Sequence, residues 1–181
     1  MARETPKSLD EARARFIDLW GQMGSTWGIP RTMAQVHAFL LAEGEPRNTD
    51  DVMAALAVSR GSASMTLRAL VDWGIVYRTH LRGDRKEYFI AEQDVWTMFR
   101  TILAERKKRE IDPLLAALAA CTFMPDDARK VDADAAATRD HNERIESLSA
   151  FFSLIDSISQ RFISPSGAGL ELAAKLLDRA S

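Results

Sequence analysis

Two short helical patterns, joined by a tight connection and followed directly by a hairpin pattern, constrain the fold more than any other feature of the chain. Asn48 or Thr49 is a plausible cap for a helix over Asp50–Leu56, since short polar side chains accept hydrogen bonds from the free amides of a first turn. Ala57 and Val58 are too few for anything but a tight connection. The next helix then begins directly after this connection.

The second helix is amphipathic and ends at a glycine. It is capped by Ser59, runs from Arg60 to Asp72 or Trp73, and repeats apolar residues at the spacing of one helical face: Ala63, Leu67, Leu70 and Val71. Gly74 follows, and glycine readily adopts the left-handed conformation that closes many helices. The pair is a helix-turn-helix.

The hairpin completes the pattern. Ile75–Leu81 is β-branched and aromatic, Arg82–Arg85 is a turn, and Lys86–Ile90 is a second short strand. Helix, turn, helix and hairpin is the order of a winged helix-turn-helix. We therefore predict a mostly α fold with a small β-hairpin wing.

Longer helical patterns flank this segment. They lie at Ser8–Trp27, from Thr32 to about Glu43, from about Asp94 to Pro113, and from Asp140 to Phe162. Pro113 interrupts the third of these helices, and Asp112 is placed to cap the helix that restarts there. Residues 125–137 are a loop or a frayed helix, and a short last helix ends near Arg179. We expect an N-terminal dimerisation helix over 1–28, the winged domain over 29–92, and a helical dimerisation region over 93–181.

Composition excludes several classes of protein. The single cysteine, Cys121, excludes an internal disulfide framework, and the three histidines, His37, His80 and His141, form no pair at metal-ligand spacing. The polar N-terminus does not resemble a signal peptide, and the longest apolar stretch is about half a membrane span. We expect a cytoplasmic protein without cofactor, metal or membrane contact, and no convergent catalytic residues indicate an enzyme.

The charge is polarised along the chain. The formal net charge of −2 does not favour a nucleic-acid ligand, yet from Arg60 to Ile90 six basic residues stand against three acidic ones, a local charge of +3. One cationic surface on an acidic chain suits a protein with a single DNA-facing side.

The start of the second helix has the composition of a DNA-reading element. In a helix-turn-helix this end enters the major groove, where hydroxyls bond phosphates or bases, an arginine can pair with guanine, and a glycine permits close approach. The candidate contacts on this helix are Ser59, Arg60, Gly61, Ser62, Ser64, Thr66 and Arg68. A capped surface helix without ligand is the plainer alternative.

The hairpin turn supplies cations. Arg82, Arg85 and Lys86 surround it, and such a β-ribbon tip can insert into a minor groove. Asp84 would be repelled by phosphate, so we expect it to hold Arg82 or Arg85 in place. A solvated turn is the alternative.

These residues carry a resemblance. The run SRGSASMTLRALVDWGIVYRTHLRGDRKEYF, Ser59–Phe89, resembles the recognition helix and wing of the GbsR branch of the MarR superfamily. Further similarities extend the likeness over roughly residues 10–115: Phe16, Trp20, Gly21, Gly24, Asp94, Trp96, Glu105, Arg106, Glu110, Ile111 and Pro113. The resemblance implies a homodimeric repressor that binds double-stranded DNA, and whose repression a small ligand relieves.

The residues themselves also favour a dimer. Phe151, Phe152, Ile155, Ile158 and Phe162 form a wider apolar surface than a small winged domain needs, and a second subunit is the simplest cover. Completion of the monomer core is the alternative.

Tryptophans suggest an effector site. Trp20, Trp27 and Trp96 could hold a quaternary ammonium such as choline or betaine by cation–π attraction. The resemblance supports this, since GbsR relatives are associated with osmoprotectant genes. Each tryptophan, however, falls on the apolar stripe of its helix, which is typical of core residues.

Two weaker candidate sites and one rival function remain. Cys121 could sense oxidation, but no neighbouring cation lowers its pKa, so a buried structural thiol is favoured. The basic run Arg106–Arg109 could contact flanking phosphates or form a solvated face paired with Glu105 and Glu110. A winged-helix protein-interaction module would need an apolar or acidic recognition face, which this sequence lacks.

Overall fold

The computed structural model describes residues 5–123 and 135–164. Its elements are, in order, α1 (Leu9–Thr26), α2 (Arg31–Glu43), β1 (Arg47–Asn48), α3 (Thr49–Leu56), α4 (Arg60–Asp72), β2 (Val76–Thr79), β3 (Tyr88–Ala91), α5 (Val95–Arg106), a π-helical turn (Lys107–Ile111), α6 (Asp112–Ala119) and α7 (Ala135–Ile163). The chain divides into two compact units, Met1–Phe99 and Arg100–Ser181. None of the described helices is long and apolar enough to cross a membrane.

Short polar side chains cap three of the described helices, and two of these caps, at Asn48 and Ser59, were predicted from the sequence. The Oγ of Ser8 accepts a hydrogen bond from the amide of Glu11 at 3.1 Å, and the Oγ of Ser59 accepts one from the amide of Ser62 at 3.2 Å. At α3, Asn48 forms a capping box with Asp51, in which each side chain accepts from the other residue's amide. These caps fix where α1, α3 and α4 begin.

The first unit has its core between α2, α3, α4 and the sheet. The largest fully buried side chains come from all of these elements: Val36, Leu40, Val52, Leu67, Leu70 and Val76. Gly74 has a φ of 72°, so it closes α4 in the left-handed region and turns the chain into β2. The mostly helical winged fold predicted from the sequence is confirmed.

The sheet has a strand that the sequence analysis missed. Its order is β1-β3-β2, all antiparallel, with Arg47 opposite Phe89 and Arg78 opposite Phe89 on the other side. The predicted hairpin strands were also too long, because β2 ends at Thr79 and β3 starts at Tyr88. Lys86, predicted in a strand, lies instead in the wing loop, residues 80–87.

In the second unit, the interruption predicted near Pro113 is present as a π-helical turn, and α6 starts at Asp112 with Pro113 in its first turn. Asp112 makes no capping hydrogen bond and instead accepts one from Lys107 Nζ at 2.7 Å. Asp156 on α7 also pairs with this ammonium, at 2.7 Å.

Three further predictions about this unit have outcomes. Cys121 is exposed rather than buried, and its thiol donates to the carbonyl of Ala117 at 3.3 Å. Of the basic run, Arg106 pairs with Glu110, while Lys108 and Arg109 pair with Glu105, as the solvated-face alternative requires. Of the loop or frayed helix predicted at residues 125–137, residues 125–134 lie outside the described residues, as does the last helix near Arg179, and residues 135–137 form the start of α7.

Candidate nucleic-acid interface

The start of α4 is exposed and polar. Ser59, Arg60 and Gly61 are exposed, and a Cβ added to Gly61 would meet nothing within 4 Å. Ser62 and Ser64 are half-buried one turn further along. This end of the helix therefore has both the open space and the hydroxyl groups that a groove-reading helix needs.

The remaining candidates on α4 lie further from its start. Arg68 is exposed, and its Nε donates to the carbonyl of Ser64 at 3.2 Å, so the guanidinium lies back along the helix. Thr66 is half-buried. Ala63, Leu67 and Leu70, on the opposite face, are buried and hold the helix on the core.

The wing loop carries exposed cations. Arg82, Arg85 and Lys86 are all exposed, and Gly83 has a φ of 88°, a conformation that few residues other than glycine adopt. The loop therefore presents three positive side chains around one tight turn.

The role predicted for Asp84 was wrong. Its Oδ1 accepts from the amide of Lys86 at 2.9 Å and its Oδ2 from the hydroxyl of Tyr88 at 2.7 Å, and no ion pair joins it to Arg82 or Arg85 in the described part of the chain. The amide of Lys86 and the hydroxyl of Tyr88 hold the pKa of the Asp84 carboxyl below its ordinary value. The carboxylate organises the wing backbone and leaves the arginines exposed.

A residue that the sequence analysis did not assign to the interface connects its two parts. Asp50, in the first turn of α3, forms ion pairs with Arg60 of α4 and with Lys86 of the wing, the latter at 3.1 Å. Its sequence position indicated only a favourable interaction with the helix dipole. No local signal could reveal the contact, because Lys86 lies 36 residues further along the chain.

The tryptophans proposed for an effector site have different surroundings. Trp20 is half-buried, with the ring of Phe16 at 5.6 Å and that of His37 at 6.1 Å between centroids. Trp96 is half-buried, but Trp27 is 54% exposed at the end of α1, contrary to the prediction that each tryptophan lies on an apolar stripe. Trp73 is the one of the four that is buried in the core.

Over residues 5–123 and 135–164, no three or more His, Cys, Asp or Glu side chains are grouped so that they could hold a metal ion. His37 is buried with its Nε2 unpartnered, and burial lowers its pKa from 6.5 to about 4. It is a neutral core residue.

The helix pair, the three-stranded sheet and the exposed wing define the chain as a winged helix-turn-helix protein. Comparison with known proteins supports the same class. A solved structure described as that of a transcriptional regulator superposes with a TM-score of 0.61, covering 84% of this chain and 95% of its own, at 18% identity. No family model matches the chain.

Three curated proteins of Bacillus subtilis are similar in sequence. The HTH-type transcriptional repressor GbsR is 26% identical over 111 residues, the putative HTH-type transcriptional regulator YvaV 22% over 104, and the HTH-type transcriptional repressor OpcR 23% over 96. The matches cover 61%, 58% and 53% of this chain and span 61%, 59% and 52% of the relatives' own lengths. The resemblance to GbsR-type regulators is confirmed.

Proposed function

We propose that this chain is a DNA-binding transcription regulator of the GbsR type that represses genes by binding duplex DNA in the cytoplasm as a homodimer. The observation that supports it most is the exposed polar start of α4 beside a wing loop with three exposed cations. The names of the similar proteins agree with this function.

In the proposed complex, α4 enters the major groove with its first turn toward the bases. Arg60 has a guanidinium fork that can bond O6 and N7 of guanine, and the serines near it bond phosphates or base edges. The wing loop follows the adjacent minor groove, where its cations neutralise phosphates. Sequence choice therefore comes from the helix, and much of the affinity comes from the wing.

The exposed apolar face of α7 supports the homodimer. Leu148, Phe151, Leu154 and Ile158 are 44–58% exposed and share one side of the helix. Of the other predicted residues, Phe152, Ile155 and Phe162 are half-buried. A second copy would cover this face, and it would also double the small cationic surface of a chain whose net charge is −2.

The proposal extends to a small-molecule effector. A quaternary ammonium such as choline or betaine would contact the faces of Trp20, Trp27 and Trp96. Titration of choline while tryptophan fluorescence is recorded tests this, with a Trp20→Leu variant as the comparison. A signal that saturates in the wild type and not in the variant supports the effector, and no signal in either contradicts it.

The rival function is a winged-helix module that binds protein. Such a module would present an apolar or acidic recognition face, whereas the start of α4 presents hydroxyls and Arg60. Binding of a duplex by the full chain separates the two functions.

Fluorescence anisotropy with a labelled duplex from upstream of the chain's own gene tests the proposal. Binding that is tighter than to a scrambled duplex, and that weakens as salt rises, is the expected result. The double variant Arg60→Ala, Arg85→Ala should lose this tighter binding. Arg31→Ala, which removes an exposed cation paired with Asp18 on the first two helices, is the matched control and should retain it. Equal binding to both duplexes by the wild type would contradict a sequence-specific regulator.

A further inference from the structure

Asp50 contacts both cationic parts of the proposed interface at once. One carboxylate oxygen, Oδ1, accepts from Nη2 of Arg60, and the other, Oδ2, accepts from Nζ of Lys86 at 3.1 Å. All three side chains are substantially exposed, at 45% for Asp50, 68% for Arg60 and 55% for Lys86. The first turn of the recognition helix and the wing loop are therefore joined through a single carboxylate.

The helix cap at the start of α3 holds the backbone that carries this carboxylate. The amide of Asp50 donates to Oδ1 of Asn48 at 2.8 Å, inside the capping box that begins α3. Hydrogen bonds from Lys86 and then Arg60 keep the pKa of Asp50 below its ordinary value, so the side chain is anionic at neutral pH. One negative charge is thus paired with two exposed positive side chains.

The arrangement changes what the two cations can do. A guanidinium has five N–H donors and an ammonium three, so each keeps free donors after bonding Asp50. A phosphate that approaches either cation meets a carboxylate already bound there, and the three charges sum to +1 instead of +2. A guanine edge, by contrast, offers two acceptors with no negative charge, which a held guanidinium can bond without repulsion from Asp50.

We propose that Asp50 is a positioning residue that determines specificity: it holds Arg60 and Lys86 together, so that contact with bases is favoured over indiscriminate contact with phosphates. The inference rests on the proposed DNA-binding function. It assigns the selectivity of the interface to an acidic residue of α3, which lies outside both the recognition helix and the wing.

The test compares Asp50→Asn with a matched control on two duplexes. One duplex is selected by the wild-type chain from a random pool, and the other is a scrambled sequence of the same length and composition. Asp72→Asn is the control, since it removes the same charge from an exposed position at the end of α4. Asp50→Glu keeps the carboxylate, and Asp50→Ser removes it with a different side chain. Anisotropy is measured over a series of NaCl concentrations.

Loss of the carboxylate should strengthen binding to the scrambled duplex and lower the ratio of selected to scrambled affinity several-fold. The slope of log affinity against log salt for the scrambled duplex should steepen by about 0.9, the contribution of one additional phosphate contact. Asp50→Ser should behave as Asp50→Asn does, Asp50→Glu should restore the ratio, and Asp72→Asn should leave it unchanged. A change in folding alone would not steepen a salt slope.

The two possible failures are distinguishable. A wild-type chain that binds neither duplex, or both equally, overturns the proposed function and this inference with it. A wild type that discriminates, together with an Asp50→Asn variant that keeps the same ratio and slope as Asp72→Asn, overturns the role of Asp50 alone.

Discussion

The hydroxyl of Tyr88, at the start of β3, donates a hydrogen bond of 2.7 Å to Oδ2 of Asp84 in the wing loop. The other carboxylate oxygen accepts from the amide of Lys86 at 2.9 Å. An acidic residue in a cationic loop thus bonds the loop's own backbone and the first residue of β3, the central strand of the sheet. The carboxylate gives the wing loop a defined shape, although its negative charge is unfavourable beside phosphate.

Asp84→Ala should loosen the wing loop, because the amide of Lys86 and the hydroxyl of Tyr88 lose their acceptor. We expect faster hydrogen exchange at the Lys86 amide, measured by NMR, with little change in the amides of α2. Asp84→Asn is the control, since its amide oxygen still accepts one of the two hydrogen bonds. Equal exchange in the wild type and in Asp84→Ala would show that the carboxylate does not organise the loop.

Arg60→Ala and Arg85→Ala should weaken DNA binding in different ways. Loss of a guanidinium that pairs with guanine should cost roughly 1–3 kcal/mol for the selected duplex and little for a scrambled one. Arg85→Ala should weaken binding to both duplexes and reduce the salt slope by about one. Anisotropy titrations measure both effects, and unchanged binding in the two variants would refute the assignment of these residues to the interface.

His37 should make the protein less stable in acid. Burial lowers its pKa from 6.5 to about 4, so the folded state favours the neutral ring. Its contribution is fully present above about pH 6.5 and is lost as the pH falls toward 4, up to about 3 kcal/mol for a pKa change of this size. Urea unfolding across this range should therefore show a smaller loss for His37→Leu than for the wild type. Parallel curves would indicate that His37 is charged or exposed in the folded state.

Gly24→Ala should destabilise the first unit. A Cβ at this position would lie 2.5 Å from the Cβ of Ala34, a side chain with no rotamer to move, so α1 and α2 would have to separate. Overpacking of this kind costs roughly 1–3 kcal/mol of unfolding free energy. Gly61→Ala is the control, since nothing lies within 4 Å and alanine favours a helix, so thermal unfolding should move in the opposite direction.

Phe151→Glu should weaken the proposed dimer. The ring is 55% exposed in the single chain, and a second copy that covered it would then have to bury a charge. Ser153→Glu places the same charge on another side of α7 and should leave the assembly intact. Light scattering gives the answer directly: a wild-type species of 20.2 kDa would contradict the dimer, as would a Phe151→Glu variant of dimeric mass.

Local elements of this fold could be read from the sequence because their causes are local. Ser59 accepts from an amide three residues away, Gly74 closes α4 beside it, and the apolar spacing of α4 assigns its buried face. The same reasoning placed the candidate interface at the start of α4 and in the wing loop, where Arg60 and Arg85 are exposed. Each of these depends on neighbours within one or two turns.

Features that join distant segments could not be read in this way. The strand β1 exists only because Arg47 and Asn48 lie beside β3, some forty residues later in the chain. Asp84 was expected to bond an arginine beside it, yet it accepts from the hydroxyl of Tyr88, whose position depends on the pairing of β3 with β2. Cys121 was expected to be a buried thiol, yet it lies in the turn after α6 and is exposed, because burial there depends on which parts of the folded chain pack against that turn.

The sequence by itself determined the helix pair α3 and α4, the two strands of the hairpin and the caps at Asn48 and Ser59, since hydrogen bonds and periodicity act within a few residues. Only the tertiary structure decided that Asp50 of α3 meets Arg60 and Lys86. An ion pair depends on the distance between two charged side chains in the folded protein, and the number of residues between them in the sequence does not give that distance.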